Sequence, residues 1–325
     1  MQIATKTTIS LIALTLSITT LCADWIYNGS DTITETGDGV VTPWKIYVAS
    51  NGAGFLQLKQ KAGSTSYGQI GKNAEGSTSA IDLNAPIRLA TDSNVTYKIN
   101  QMQEGFFKSK AIVSIVLPDA MTALPQTAFR DCSTLTNVVI GKNISSIGYM
   151  AFYNAKNISS ELVFNAKEIT SIAADAFYGC HKVPNIIFNG EITASDIPAN
   201  AFRECRSLKT LKLSGVMNPS GLNSFGDYCF MGTPFKELWM PKYPTWGSRV
   251  WEARSGYGIT AYNGVVYINR NNLKWSSAYK PWGELSDAVK AKWTRTDIRP
   301  LGLTTADPKN QWVLAWPRGL LITVK

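Results

Sequence analysis

Along the middle of the chain, apolar positions return at a nearly constant step. The pair Ala128-Phe129 is repeated as Ala151-Phe152, Ala176-Phe177 and Ala201-Phe202, and loosened as Cys229-Phe230. Successive phenylalanines of this set lie 23, 25, 25 and 28 residues apart. Six, nine and eleven residues after Phe129 stand Leu135, Val138 and Ile140; the same offsets give Val183, Ile186 and Phe188 after Phe177, and Leu208, Leu211 and Leu213 after Phe202. The copy at Phe152 gains one residue before Leu162 and Phe164, and the copy at Phe230 loses one before Phe235, Leu238 and Met240. Phe106 with Ile112, Ile115 and Leu117 extends the template backward, so six copies run from about Gly105 to Met240.

The last two apolar positions of each trio alternate with polar or small residues, the period of two that a β-strand requires. A second apolar pair follows, Ile144 with Ile147 and Ile169 with Ile172, and leads to the next anchor. The anchor segment is too short for a full α-helix and is predicted as one or two helical or 3₁₀ turns. A buried anchor recurring every 20 to 30 residues or so specifies a stack of similar coils, each closing its core only against its neighbours. The expected fold is therefore an α/β solenoid, β-dominated, with one parallel sheet along its side.

These residues resemble the BspA-type leucine-rich repeat. Its pattern is an isoleucine pair, an Ala-Phe anchor, often a cysteine three residues on, and then L-x-x-[VL]-x-[IL]. Anchor, cysteine and strand offsets recur together, which makes the resemblance specific over about 140 residues. It implies a leucine-rich repeat stack in a secreted or surface-displayed protein that binds other macromolecules, without enzymatic activity.

The flanks read differently. Residues 1–23, with Lys6, an apolar run from Ile9 to Leu21 and small Ala23 before Asp24, describe a secretory signal peptide. Cys22 raises a lipoprotein reading, but Leu21 before it is a poor fit to the small residue that lipid attachment prefers. Residues 24–104 alternate short strand patterns with Gly, Ser and Asn runs and are expected to form a β-rich N-terminal cap, in which AIDLN and TYKIN resemble a degenerate coil. Residues 105–240 hold the repeats, and residues 241–325 form a mixed C-terminal cap with a hairpin at Ala261–Trp275 and a short helix at Glu284–Trp293. No stretch of the mature chain is apolar enough to span a bilayer.

Charge adds a regional contrast. Residues 24–235 carry 17 basic and 17 acidic side chains, whereas residues 236–325 carry 14 and 6. That last quarter also holds eight of the ten tryptophans. Trp246, Arg249, Trp251, Arg254, Tyr257 and Tyr262 are accordingly candidates for a glycan or polyanion site, because indole rings stack on sugar faces and cations attract acidic polymers. The competing reading is a capping core with soluble charges.

The other candidate surface is the strand face. Val116, Val139, Val163, Ile187, Lys212 and Trp239 form one outward column, and beside it run Ser114, Asn137, Glu161, Asn185, Thr210 and Glu237. The first column is an apolar stripe fitted to a protein partner on a host or neighbouring cell surface, or a simple expression of strand propensity.

Chemistry has little to build on. The single histidine, His181, follows a repeat position, and no G-x-S-x-G, Walker A loop or H-E-x-x-H is present. No cofactor, metal or nucleic-acid partner is expected. Cys132, Cys180 and Cys205 share one repeat position and should line the stack as buried free thiols, although Cys180 and Cys205 in consecutive coils leave a bridge geometrically conceivable.

Overall fold

A computed structural model describes residues 24–36, 45–59, 80–213 and 224–234, together with the backbone of four further strands, Glu237–Met240, Thr245–Trp246, Asn263–Ile268 and Gln311–Ala315. The predicted signal segment and the Glu284–Trp293 helix lie outside the described residues.

Strand period governs the N-terminal part. β1 (Asp24–Tyr27), β2 (Thr32–Thr36), β3 (Lys45–Ser50) and β4 (Phe55–Leu58) are followed by β5 (Ala80–Asp82), β6 (Ile87–Leu89) and the long β7 (Asp92–Met102). β1, β2, β3, β4, β7 and β6 pair in that order and β6 pairs back to β1, which closes a barrel. Alternate residues point inward, so Ile46 and Val48 on β3 and Leu56 and Leu58 on β4 are buried. Closure removes the unpaired strand edges that would otherwise invite association.

β5 leaves the barrel. It pairs in parallel with Ser114–Val116, matching Ala80 to Ser114 and Asp82 to Val116, and so begins the main sheet of the repeats. TYKIN, by contrast, lies within β7 of the barrel. Trp25, fully buried in β1, donates its indole N–H to the Asp82 carbonyl at 2.7 Å and fastens barrel to sheet.

From β5 onward each coil presents three ribbons to the next. The first is the predicted strand, stacked in parallel from Ser114–Val116 to Asn137–Val139, and then from Leu162–Phe164 through Asn185–Phe188, Thr210–Lys212 and Glu237–Met240 to Asn263–Ile268 and Gln311–Ala315. The second is a two-residue bridge made by the second apolar pair, as in Ala123–Leu124, Ser146–Ile147 and Ser171–Ile172. The third is the anchor turn.

The anchor turns are not helical; no helix occurs among the described residues. The N–H groups of Ala128, Arg130 and Cys132 close four-residue turns onto the carbonyls of Pro125, Thr127 and Phe129. The intervening N–H groups of Thr127, Phe129 and Asp131 reach across to the carbonyls of Tyr149, Ala151 and Tyr153 in the next coil, at 2.7 to 2.8 Å. This alternation needs left-handed backbone two residues before and two after each anchor. Thr127 and Asp131 flank Phe129, Met150 and Asn154 flank Phe152, and Asn200 and Glu204 flank Phe202, all with φ between 53° and 58°. Gly105, Gly179 and Gly232 fill other places in the same two columns. An L-residue in this region costs about 1–2 kcal/mol, a strain the inter-coil ladder offsets and which halts any helix after one turn.

Inside the turns the anchor rings stack. Phe107, Phe129, Phe152, Phe177, Phe202 and Phe230 are all fully buried, with successive centroids 5.3 to 5.8 Å apart and planes within 26°. The ring that continues the column backward is therefore Phe107, not Phe106. Phe106 is buried beside it, edge-on at 4.9 Å, and the first coil is one residue shorter than the undistorted template. Each offset-stacked pair adds about 0.5–1.5 kcal/mol to the burial itself.

Candidate functional site

The register places the strand-face candidates in two adjacent columns. Val139 sits beside Val116; Val163 pairs with Ile187, Ile187 with Lys212, and Lys212 with Trp239. Val139 is 43 % exposed, and Val116, Val163, Ile187 and Lys212 are partly so. In the second column Asn137 donates to Ser114 Oγ at 3.0 Å, and Asn185 donates to the Glu161 carboxylate. Thr210 pairs with Asn185 in register. These side-chain bonds tie the first coil to the second and the third to the fourth along the polar column.

One interruption divides it. The extra residue that sequence reading assigned to the Phe152 copy falls between the strands Asn137–Val139 and Leu162–Phe164, and the ladder stops there. Both Ser159 and Ser160 donate backbone N–H groups to the Thr136 carbonyl, and Ser160 Oγ accepts the Val138 N–H at 3.1 Å. A serine hydroxyl thus takes the place of a strand carbonyl, and exposed Val139 stands at the step.

The opposite border of the coil carries a column that sequence reading did not single out. Arg130 lies over the Tyr153 ring at 5.3 Å, Tyr153 stacks on Tyr178 at 4.8 Å, and Arg203 lies over both Tyr178 and Tyr228 at 5.4 and 5.6 Å. The signal was present for Arg130, Tyr153, Tyr178 and Arg203 as the residue immediately after each anchor, whereas Tyr228 stands two residues before Phe230. Glu204, only 5 % exposed, sits in this border between Arg203 and Arg206.

The cysteines take no part in chemistry of this kind. Cys132, Cys180, Cys205 and Cys229 are buried and free. The first three donate to the anchor carbonyl of a preceding coil, Phe107, Phe152 and Phe177 respectively, at 2.9 to 3.2 Å. Thr233 occupies the same column and bonds Phe202 in the same way, while also accepting the Cys205 N–H. Burial pushes the Cys132 thiol up to about 12 and the other three upward as well. His181 is half-buried, and desolvation followed by the nearby Arg206 charge holds it below its ordinary value. Among the described residues no group of three His, Cys, Asp or Glu is placed to hold a metal, and no helix is long and apolar enough to cross a membrane.

For the C-terminal candidates, the Trp246 backbone pairs with Phe225 and the Trp239 backbone lies in the main sheet. Their side chains, with Arg249, Trp251, Arg254, Tyr257 and Tyr262, lie outside the described residues.

A family model described as "BspA type Leucine rich repeat region" matches the chain in six copies, over residues 100–233 and 160–271. Three solved structures are similar. A leucine rich cell surface protein from Faecalibacterium prausnitzii A2-165 is 16% identical, with 72% of this chain and 70% of that chain covered and a TM-score of 0.44. The T. pallidum Leucine Rich Repeat protein is 17% identical, with 58% and 86% covered and a TM-score of 0.37. A leucine-rich repeat protein from Bacteroides ovatus ATCC 8483 is 17% identical, with 70% and 64% covered and a TM-score of 0.31. No curated protein matches the chain.

Proposed function

The chain belongs to the BspA-type leucine-rich repeat family, and from that premise we propose that it is a secreted or surface-displayed protein whose outward strand face binds a protein partner on a host or neighbouring cell. In this reading residues 1–23 serve export, 24–104 and 241–325 close the two ends, and 105–240 display the face. The observation that carries it is the register of the sheet, which sets Val116 and Val139, and then Val163, Ile187 and Lys212, beside a hydrogen-bonded polar column. A preorganised surface loses little entropy on docking, and a broad flat face suits a macromolecule better than a small substrate. The reading is non-enzymatic.

Crosslinked capture from the native surroundings, with the mature chain as bait and partners identified by mass spectrometry, tests it. One partner retained by the wild type and lost by the double variant Val139→Arg, Val163→Arg supports the strand face. Equal retention by that variant defeats it. Co-localised charge and tryptophan favour a second reading, a glycan or polyanion site at Trp246, Arg249, Trp251, Arg254, Tyr257 and Tyr262. Glycan-array binding that disappears in Trp251→Ala and survives in Lys212→Ala would select it.

A further inference from the structure

Where the barrel meets the first coils, the chain leaves a cleft of about 530 Å³. The β5–β6 turn forms one wall, the middle of β7 a second, and the segments following the first two repeat strands the third. That volume falls within the range of roughly 300–1,000 Å³ usual for ligand sites, which favour seams between folded units.

The lining combines a fixed apolar floor with fixed polar groups. Leu83 and Ile99 are buried beneath it, and the Tyr97 ring, half-buried, is held edge-on against Tyr27 at 5.0 Å. Asn84 Oδ1 accepts the Asp119 N–H at 2.9 Å, and Asn143 Nδ2 donates to the Asp119 carbonyl at 2.8 Å. The Asp119 carboxylate in turn accepts from Lys142, both backbone N–H at 3.0 Å and Nζ at 2.7 Å. Each amide is anchored at one end, and an amide carries donors and an acceptor in one plane, so capacity is left at the other end for a ligand. The lining holds one cation, Lys98, and one anion, Asp119, already paired to Lys142.

We propose that this cleft binds a neutral saccharide of one or two rings. A sugar offers hydroxyls that both donate and accept, which in-plane amide and carboxylate groups match, and an apolar C–H face that packs on an aromatic ring. The Asp119 charge is taken up by Lys142, and Lys98 is exposed to water, which screens it, so the amide groups and not a formal charge do the selecting. The site is separate from the strand face.

Saturation-transfer NMR on the full chain tests the assignment, with D-glucose, D-galactose, D-mannose, N-acetyl-D-glucosamine, cellobiose and lactose as probes and D-glucuronate as the charged comparison. Transfer to at least one neutral probe is expected. Asn143→Ala, an exposed position, should raise its Kd about tenfold, the loss of one good hydrogen bond, and Ala120→Trp, which fills the cleft, should abolish the signal. Silence from every neutral probe overturns the proposal, as does a signal that survives both cleft variants, or glucuronate binding tenfold tighter than every neutral probe. Should Ala120→Trp fail to fold, Asn143→Ala decides alone.

Discussion

The barrel and the coil stack bury the same kinds of residue but close their edges in opposite ways. In the barrel, strands of unequal length curl until the last pairs with the first, and no position is chemically repeated. In the stack each coil leaves both its faces open and relies on the next coil, so one position repeated along the chain becomes a continuous column, as in the run of anchor rings from Phe107 to Phe230. A defect in the barrel stays within one core, whereas a defect in the stack removes a surface that two neighbours share.

The sharpest way to break that contrast is at the centre of the ring column. Phe177 stacks on Phe152 and Phe202 and meets Phe164 and Phe188 edge-on. Phe177→Ala should cost about 3–5 kcal/mol in urea unfolding, with loss of amide-exchange protection in the coils on both sides. Protection lost only around residue 177 would mean that the coils are not coupled.

Backbone approach gives the next effect. A Cβ on Gly190 would lie 1.9 Å from the Ala166 carbonyl oxygen of the preceding coil, whereas one on Gly52, in the β3–β4 turn of the barrel, would meet nothing within 4 Å. Gly190→Ala should cost about 1–3 kcal/mol through forced separation of coils. Gly52→Ala should cost about 1 kcal/mol, from its φ of 93° alone. Equal costs, measured by urea titration of both variants, would erase the distinction.

The cysteine column sharpens the comparison at smaller scale. Thr233→Val strands the Phe202 carbonyl and the Cys205 N–H, and should cost about 1–3 kcal/mol by thermal melting. Thr233→Cys restores the residue used in other coils and should recover part of that loss. Because burial raises all four thiols, 5,5′-dithiobis(2-nitrobenzoate) at pH 8 should label none of Cys132, Cys180, Cys205 and Cys229 until the coils unfold; labelling of Cys132 in the folded protein would show that its coil opens.

Smallest is the ion pair that links the first two coils. The Lys142 hydrogen bond holds the Asp119 carboxyl below its ordinary value, against a weaker opposing effect of burial. A carboxyl whose folded pKa is depressed stabilises above its unfolded pKa, and that contribution fades as pH falls through the folded value. Lys142 is 75 % exposed, so solvent screening keeps the effect below about 1 kcal/mol. Asp119→Asn should lower neutral-pH stability by no more than that amount and leave acid stability nearly unchanged, which flattens the acid limb of the stability curve.

Much of the stack was legible because its signals are local and repeated. The anchor, the strand offsets and the residue gained before Leu162 are all written in spacing, and spacing set which strand residues share a column. Whether the first ring was Phe106 or Phe107 was not legible, since two adjacent phenylalanines are equally apolar and only stacking against Phe129 separates them. The absence of helix from the anchor turns was hidden for a related reason: Thr127, Asp131 and Glu204 do not advertise left-handed backbone, and the demand for it comes from carbonyls in the neighbouring coil. Closure of the N-terminal strands, the pairing of β5 with the repeats, and the cleft lined by Asn84, Tyr97, Asp119 and Asn143 join residues far apart in sequence. A repeat is specified by short-range periodicity, which any window of the chain contains; a closed barrel and a seam arise from contacts between distant segments, which exist only once the chain has packed.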